Sequence, residues 1–182
     1  VTRVSDPLVG GLIGAAASLA AAPIVAVFVE RLPERASLAG PWPLNFPKVP
    51  SLVTITACIL LGIRIGPDSS LPAFLYVGIV GSALAVIDVR CKRLPNALTY
   101  PSYPALLVLF ALALTGSPNQ TDAMRAIIAG VIFFGVFGLL WLIRPGDLGL
   151  GDVKLSGILG ISLGWLGWGS WFVGLISGFL LG

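Results

Sequence analysis

Long apolar runs separated by short basic gaps constrain this 182-residue chain more than any other feature. A helix that crosses a bilayer needs roughly 20 apolar residues, within a range of about 17 to 25. Runs of that kind cover residues 7–29, 51–65, 71–87, 97–114 and 123–143. The remainder, 153–182, is also apolar but is broken by GWLGWGS, which predicts two short helices with a turn between them. Pro101 and Pro104 predict an interruption of the fourth run. Residues 33–50 are rich in proline and read as a polar loop. Only 10% of the residues are charged and 57% are hydrophobic, where a soluble domain carries about a quarter charged. The expected fold is all-α, a polytopic transmembrane bundle of about six to seven spans forming one membrane-embedded domain over residues 1–182.

The cations set the orientation. Arg31 and Arg35 follow the first run, Arg90, Lys92 and Arg93 the third, and Arg144 and Lys154 flank the junction after the fifth. With alternating spans, all three groups fall on one side, and the positive-inside rule makes that side the cytoplasm. The net charge of +3 is therefore a matter of topology, and a nucleic-acid partner is not expected. The opposite loops hold Asp68, Asp122, Arg125 and the nearby Arg64.

The chain has no histidine, which removes the usual general base, the Ser–His and Cys–His dyads and most zinc sites. Cys58 and Cys91 form no CxxC pair and read as free thiols. Chemistry then falls to the acids. Asp6, Asp68 and Asp122 lie in outer loops, while Glu30 and Glu34 lie among arginines. Asp88, Asp147 and Asp152 remain, at helix ends on the basic side.

Asp88 directly continues an apolar helix. The negative end of the helix dipole disfavours charge there, and an ion pair with Arg90 or Lys92 is the competing structural reading. Asp152 opens the following helix and suits the positive dipole end, where an N-cap role competes with a chemical one. Gly146, Gly149 and Gly151 precede it. Three glycines in six positions exceed what a cap needs and suit backbone that bends closely or admits another chain. Two adjacent carboxylates can activate water without metal or histidine, one ionised and one protonated. Helix polarity assigns Asp152 as the base and Asp88 as the acid.

The string GLGDVKL (149–155) matches the GxGD motif of membrane aspartyl proteases and most resembles the type IV prepilin peptidases. IDVRCKRLPN (87–96) resembles that family's other signature, an aspartate followed by basic residues and a Pro-Asn or Pro-Asp pair. The first run, ending in RLP, and the ILGISLGWLGW stretch are similar to the family as well. The resemblance implies a membrane aspartic endopeptidase with Asp88 and Asp152 as the catalytic pair. Its substrates are type IV prepilin and pseudopilin precursors, whose basic leaders it removes at the cytoplasmic face of the inner membrane. Many bacterial members carry two CxxC pairs after the first helix, tied to zinc and to methyl transfer. Here the equivalent loop, 34–50, has no cysteine, so the resemblance implies cleavage alone, with no metal and no cofactor. Asp147 reads as a loop acid near the place of a family glutamate. The GxGD motif is shared with archaeal preflagellin peptidases and presenilin-like enzymes, which form one alternative. A non-enzymatic transporter that passes a proton or cation through paired acids forms another. Lys154 reads as a topology anchor or as a partner of Asp152 or substrate. Trp165, Trp168 and Trp171 read as an interfacial aromatic belt, and the helix glycines as packing contacts.

Overall fold

The structure, a computed structural model, describes residues 6–31, 48–91, 96–116, 120–143 and 149–181. It contains α1 (Pro7–Arg31), α2 (Lys48–Ile65), α3 (Leu71–Cys91), α4 (Asn96–Gly116), α5 (Gln120–Ile143), α6 (Leu150–Leu166) and α7 (Trp168–Leu181), with no strand among the described residues. The protein is all-helical, as the hydropathy pattern requires. By length and composition, α3, α4 and α5 can each cross a bilayer, and α1 and α2 contribute the shorter apolar stretches Pro7–Ala21 and Ser51–Ile65. The faces of α5 that meet no other helix are apolar, with Ile127, Val131, Phe134 and Leu142 all exposed. Such a surface suits lipid and would be an aggregation hazard in water.

Three boundaries differ from the sequence reading. Helix α2 starts at Lys48, inside the expected loop, with Pro50 in its first turn, where its missing N–H removes no helical bond. The rest of that loop, 32–47, lies outside the described residues. Helix α3 runs on to Cys91, so Asp88 lies within its closing turn and not beyond it. Helix α4 is continuous through Pro101 and Pro104. In hydrocarbon, abandoning a helix exposes backbone groups to no solvent partner, which outweighs the bonds that proline removes.

The chain divides into two compact units, residues 1–94 and 95–182. In the first, α1 and α2 meet through bare backbone. A Cβ on Gly10 or on Gly62 would strike the other residue's carbonyl oxygen, and one on Gly14 would strike the carbonyl of Cys58. These contacts pair the start of α1 with the end of α2, an antiparallel seam of small residues. Gly66 closes α2 in the left-handed region (φ 73°) and donates to the Gly62 carbonyl at 2.9 Å. Asp68 then builds the turn into α3, its Oδ1 accepting from the Ser70 amide at 2.9 Å and the Ser70 hydroxyl at 2.7 Å. Helix α3 packs on α2 around Cys58, Leu71 and Leu75, and the buried hydroxyls of Thr54 and Ser82 share a hydrogen bond at 2.6 Å.

In the second unit, α5 and α6 repeat the small-residue seam. A Cβ on Gly160 would lie 2.6 Å from the Phe133 Cβ and 2.9 Å from the Gly130 Cα, and one on Gly164 would strike the Ala129 Cβ. The glycines serve packing, as the sequence suggests. Gly167, at φ 129°, is the single-residue turn between α6 and α7. Beyond it Trp171 is buried among Ala129 and Phe133 and donates its indole N–H to the Ala129 carbonyl at 3.1 Å. Trp165 stacks on Phe110 with ring centroids 4.4 Å apart. Of the three tryptophans only Trp168 is exposed. The belt reading therefore fails for Trp171, because its indole finds a carbonyl partner inside the protein.

Candidate active site

Asp152 is the third residue of α6, half-buried in the first turn. The cap position belongs to Gly149, which is extended (φ −74°, ψ 140°) and makes no side-chain cap bond. The N-cap reading of Asp152 is thus set aside. Its amide donates to the Gly149 carbonyl at 3.0 Å, a tight bond that closes the first turn. Its Oδ2 lies 3.3 Å from where a Cβ on Gly149 would stand. A side chain at 149 would crowd the carboxylate, which gives the first glycine next to the GD pair a steric reason. The carboxylate also faces the positive end of the helix dipole, which favours its charge.

The turn that holds Asp152 is gripped from α4. The Tyr103 hydroxyl donates to the Lys154 carbonyl at 2.5 Å. The same phenol packs on Gly157, where a Cβ would strike its oxygen and come within 3.0 Å of Cε1 and Cζ. The Lys154 ammonium lies 4.9 Å from the centre of the Tyr100 ring, a cation–π distance. Lys154 is therefore engaged with an aromatic face, a role beyond that of a topology anchor.

The far end of α6 is held differently. Arg125 of α5 donates from Nε to the Gly164 carbonyl and from Nη2 to the Trp165 carbonyl, both at 2.7 Å. Those carbonyls belong to the last turn of α6, where the Gly164 carbonyl also accepts from the Gly167 amide at 3.2 Å. Asp122, 2.7 Å from the same Nη2, completes the cap. A cation is favoured at a helix C-terminus on dipole grounds as well.

Asp88 lies three residues before the end of α3, half-buried and next to Ile87, which is 1% exposed. It belongs to the first unit and Asp152 to the second. Among the described side chains, which do not include that of Arg90, no hydrogen bond or ion pair reaches the Asp88 carboxylate. Asp147, Lys92, Arg93 and Arg144 lie outside the described residues. Sequence reading overlooked Tyr100, Tyr103 and Arg125 as supports of α6. The tyrosines carry a weak signal, polar-tipped aromatics four and seven residues into an apolar run. Arg125 carries another, a lone cation one turn inside a span.

A model describing the type IV leader peptidase family matches residues 75–182, more than half of the chain. The chain belongs to that family. Membership makes it a protease, and the family processes prepilin-type substrates. The match takes in both Asp88 and Asp152 and begins inside α3, so α1 and α2 precede it. No curated protein and no solved structure matches the chain.

Proposed function

We propose that the protein is an aspartic endopeptidase. It removes the N-terminal leader from type IV prepilin-like precursors at the cytoplasmic face of the inner membrane, with residues 1–182 working as one membrane domain. Asp88 and Asp152 share the activation of one water. The observation that carries the reading is a family match spanning both aspartate motifs, together with Asp152 in a first turn whose glycine cap leaves room for its carboxylate. Three basic clusters on one side of the alternating helices support the orientation.

Asp152, favoured as the anion by its helix terminus, takes a proton from water as the oxygen attacks the scissile carbonyl carbon. Asp88 donates its proton to the carbonyl oxygen, giving a neutral gem-diol. As the C–N bond breaks, Asp152 passes its proton to the leaving nitrogen and Asp88 recovers one from a diol hydroxyl. Each carboxyl ends in its starting state, so no metal or histidine enters the cycle. A precursor whose apolar helix begins just after the cut site can lie in the bilayer beside the enzyme and present its leader to a membrane-edge site. The exposed apolar flanks of α4 and α5 are compatible with such a neighbour.

The test is cleavage of a prepilin by the purified protein, with Asp88→Asn and Asp152→Asn alongside. Loss of cleavage in both variants is expected. Full activity in either one would exclude the two-aspartate mechanism.

A further inference from the structure

The least self-supported part of α6 carries Asp152. The first four amides of a helix have no intrahelical acceptor. Gly149 caps α6 without a side-chain bond, and Gly151 adds backbone freedom within the turn. Besides the bond from the Asp152 amide to the Gly149 carbonyl, contacts from α4 fasten this turn. Tyr103 donates to the carbonyl of Lys154, two residues after Asp152, and seats its ring on Gly157, one turn further along. Residues three apart share a helix face, so both contacts press on one side of α6. They fix its rotation as well as its height. The Lys154 ammonium over Tyr100 adds a weaker hold on the same side. The opposite end of α6 is secured independently by Arg125.

We infer that Tyr103 is a positioning residue for the reaction: its hydroxyl sets the rotation of the first turn of α6, and thereby the direction in which Asp152 presents its carboxylate. This rests on reading Asp152 as the catalytic base. Losing the hydroxyl leaves the turn with the ring seated on Gly157 and the Lys154 contact with Tyr100, and loosens its rotation. A small displacement of a reacting group lowers the rate of the chemical step far more than it alters substrate binding.

Tyr103→Phe isolates the hydroxyl, because the ring that fills the space beside Gly157 remains. The full-length protein in phospholipid nanodiscs is given a synthetic prepilin-type peptide with a basic leader, a glycine and an apolar helix. Tyr103→Phe is expected to lose about tenfold in kcat with KM within about twofold of wild type. Its thermal unfolding midpoint should fall only slightly, as for the loss of any single hydrogen bond between membrane helices. Amide exchange over residues 150–158 should rise severalfold while that over 160–166 stays the same. A kcat within about twofold of wild type would overturn the inference. So would a fall in kcat matched by a rise in KM, or a midpoint lowered well beyond the loss of one hydrogen bond between helices. If the wild type leaves the peptide uncut, the proposed function falls, and amide exchange alone decides on Tyr103. Faster exchange confined to 150–158 then supports the positioning role, and unchanged exchange rejects it.

Discussion

Asp88 and Asp152 occupy opposite ends of their helices, and the two ends are built differently. Asp152 stands three residues into α6, and a hydrogen bond from α4 lands two residues past it. Asp88 stands three residues before the end of α3, and the nearest cross-helix hydrogen bond on α3 among the described residues is at Ser82, six positions earlier. One carboxylate has a brace in its own turn. Around the other, the described contacts are the packing of the turn before it, where Leu84 and Ile87 are buried. The contrast suits the proposed roles. A base that must meet a water in one direction needs a fixed helix terminus, where the dipole also favours its charge.

The strongest way to break this comparison is to remove each carboxylate in turn. Asp88→Asn and Asp152→Asn are each expected to lower kcat by about 10³-fold, in the middle of the range for general acid–base groups. The double variant should lose little more than either single one, because members of a catalytic unit are not additive. Additive losses in a prepilin cleavage assay would mean that the two groups act separately, and the pairing would fall.

The next effect concerns the seams. Gly160→Val drives a side chain into Phe133 and Gly130 and is expected to destabilise the protein by about 3 kcal/mol. Because α6 carries Asp152, cleavage should fall together with the unfolding midpoint. Gly14→Val makes a similar collision with the Cys58 backbone, in a seam formed by α1 and α2 alone. It should lower the midpoint with a smaller loss of kcat in the protein that remains folded. Equal losses in the two variants would show that activity reports packing in general and not the placement of α6.

Arg125→Gln sharpens the contrast between the ends of α6. It leaves the Gly164 and Trp165 carbonyls without their cationic donor, at a cost of about 1–3 kcal/mol. The expected result is a lower unfolding midpoint with kcat within about twofold of wild type. A large fall in kcat would mean that the far end of α6 also governs Asp152.

How much of this was legible in the sequence differs by element. Helix existence was written in the apolar runs, since a bilayer leaves the backbone almost no other choice. The α6–α7 break could be read from GWLGWGS, and Gly167 supplies it. The continuity of α4 could not, because proline's local cost is visible in a sequence and the hydrocarbon that overrides it is not. The position of Asp152 was right to within a turn, yet its cap role was not. Capping depends on where the backbone leaves the helix, and the extended residue is Gly149. Tyr103 and Arg125 escaped notice for a different reason. Their partners are carbonyls 51, 39 and 40 residues away, and every residue has a carbonyl, so no residue type marks the other half of the contact. Trp171 was misread for the same reason, its acceptor being the Ala129 carbonyl.

The smallest expected effect tests the helix that carries Asp88. Thr54→Val keeps the side-chain shape and removes the hydroxyl that meets Ser82 between α2 and α3. Ser82 keeps its own bond to the Ile79 carbonyl at 2.8 Å, so its hydroxyl is not orphaned. Hydrogen bonds between membrane helices average about 0.6 kcal/mol, and a loss of that order in unfolding free energy is expected. If the Asp88 turn is set by the burial of Leu84 and Ile87, kcat should stay within about twofold of wild type. A fall well beyond that, without a matching loss of stability, would mean that the Thr54–Ser82 bond steers Asp88 from nearly two turns away. Asp88 would then be braced as deliberately as Asp152, only at longer range.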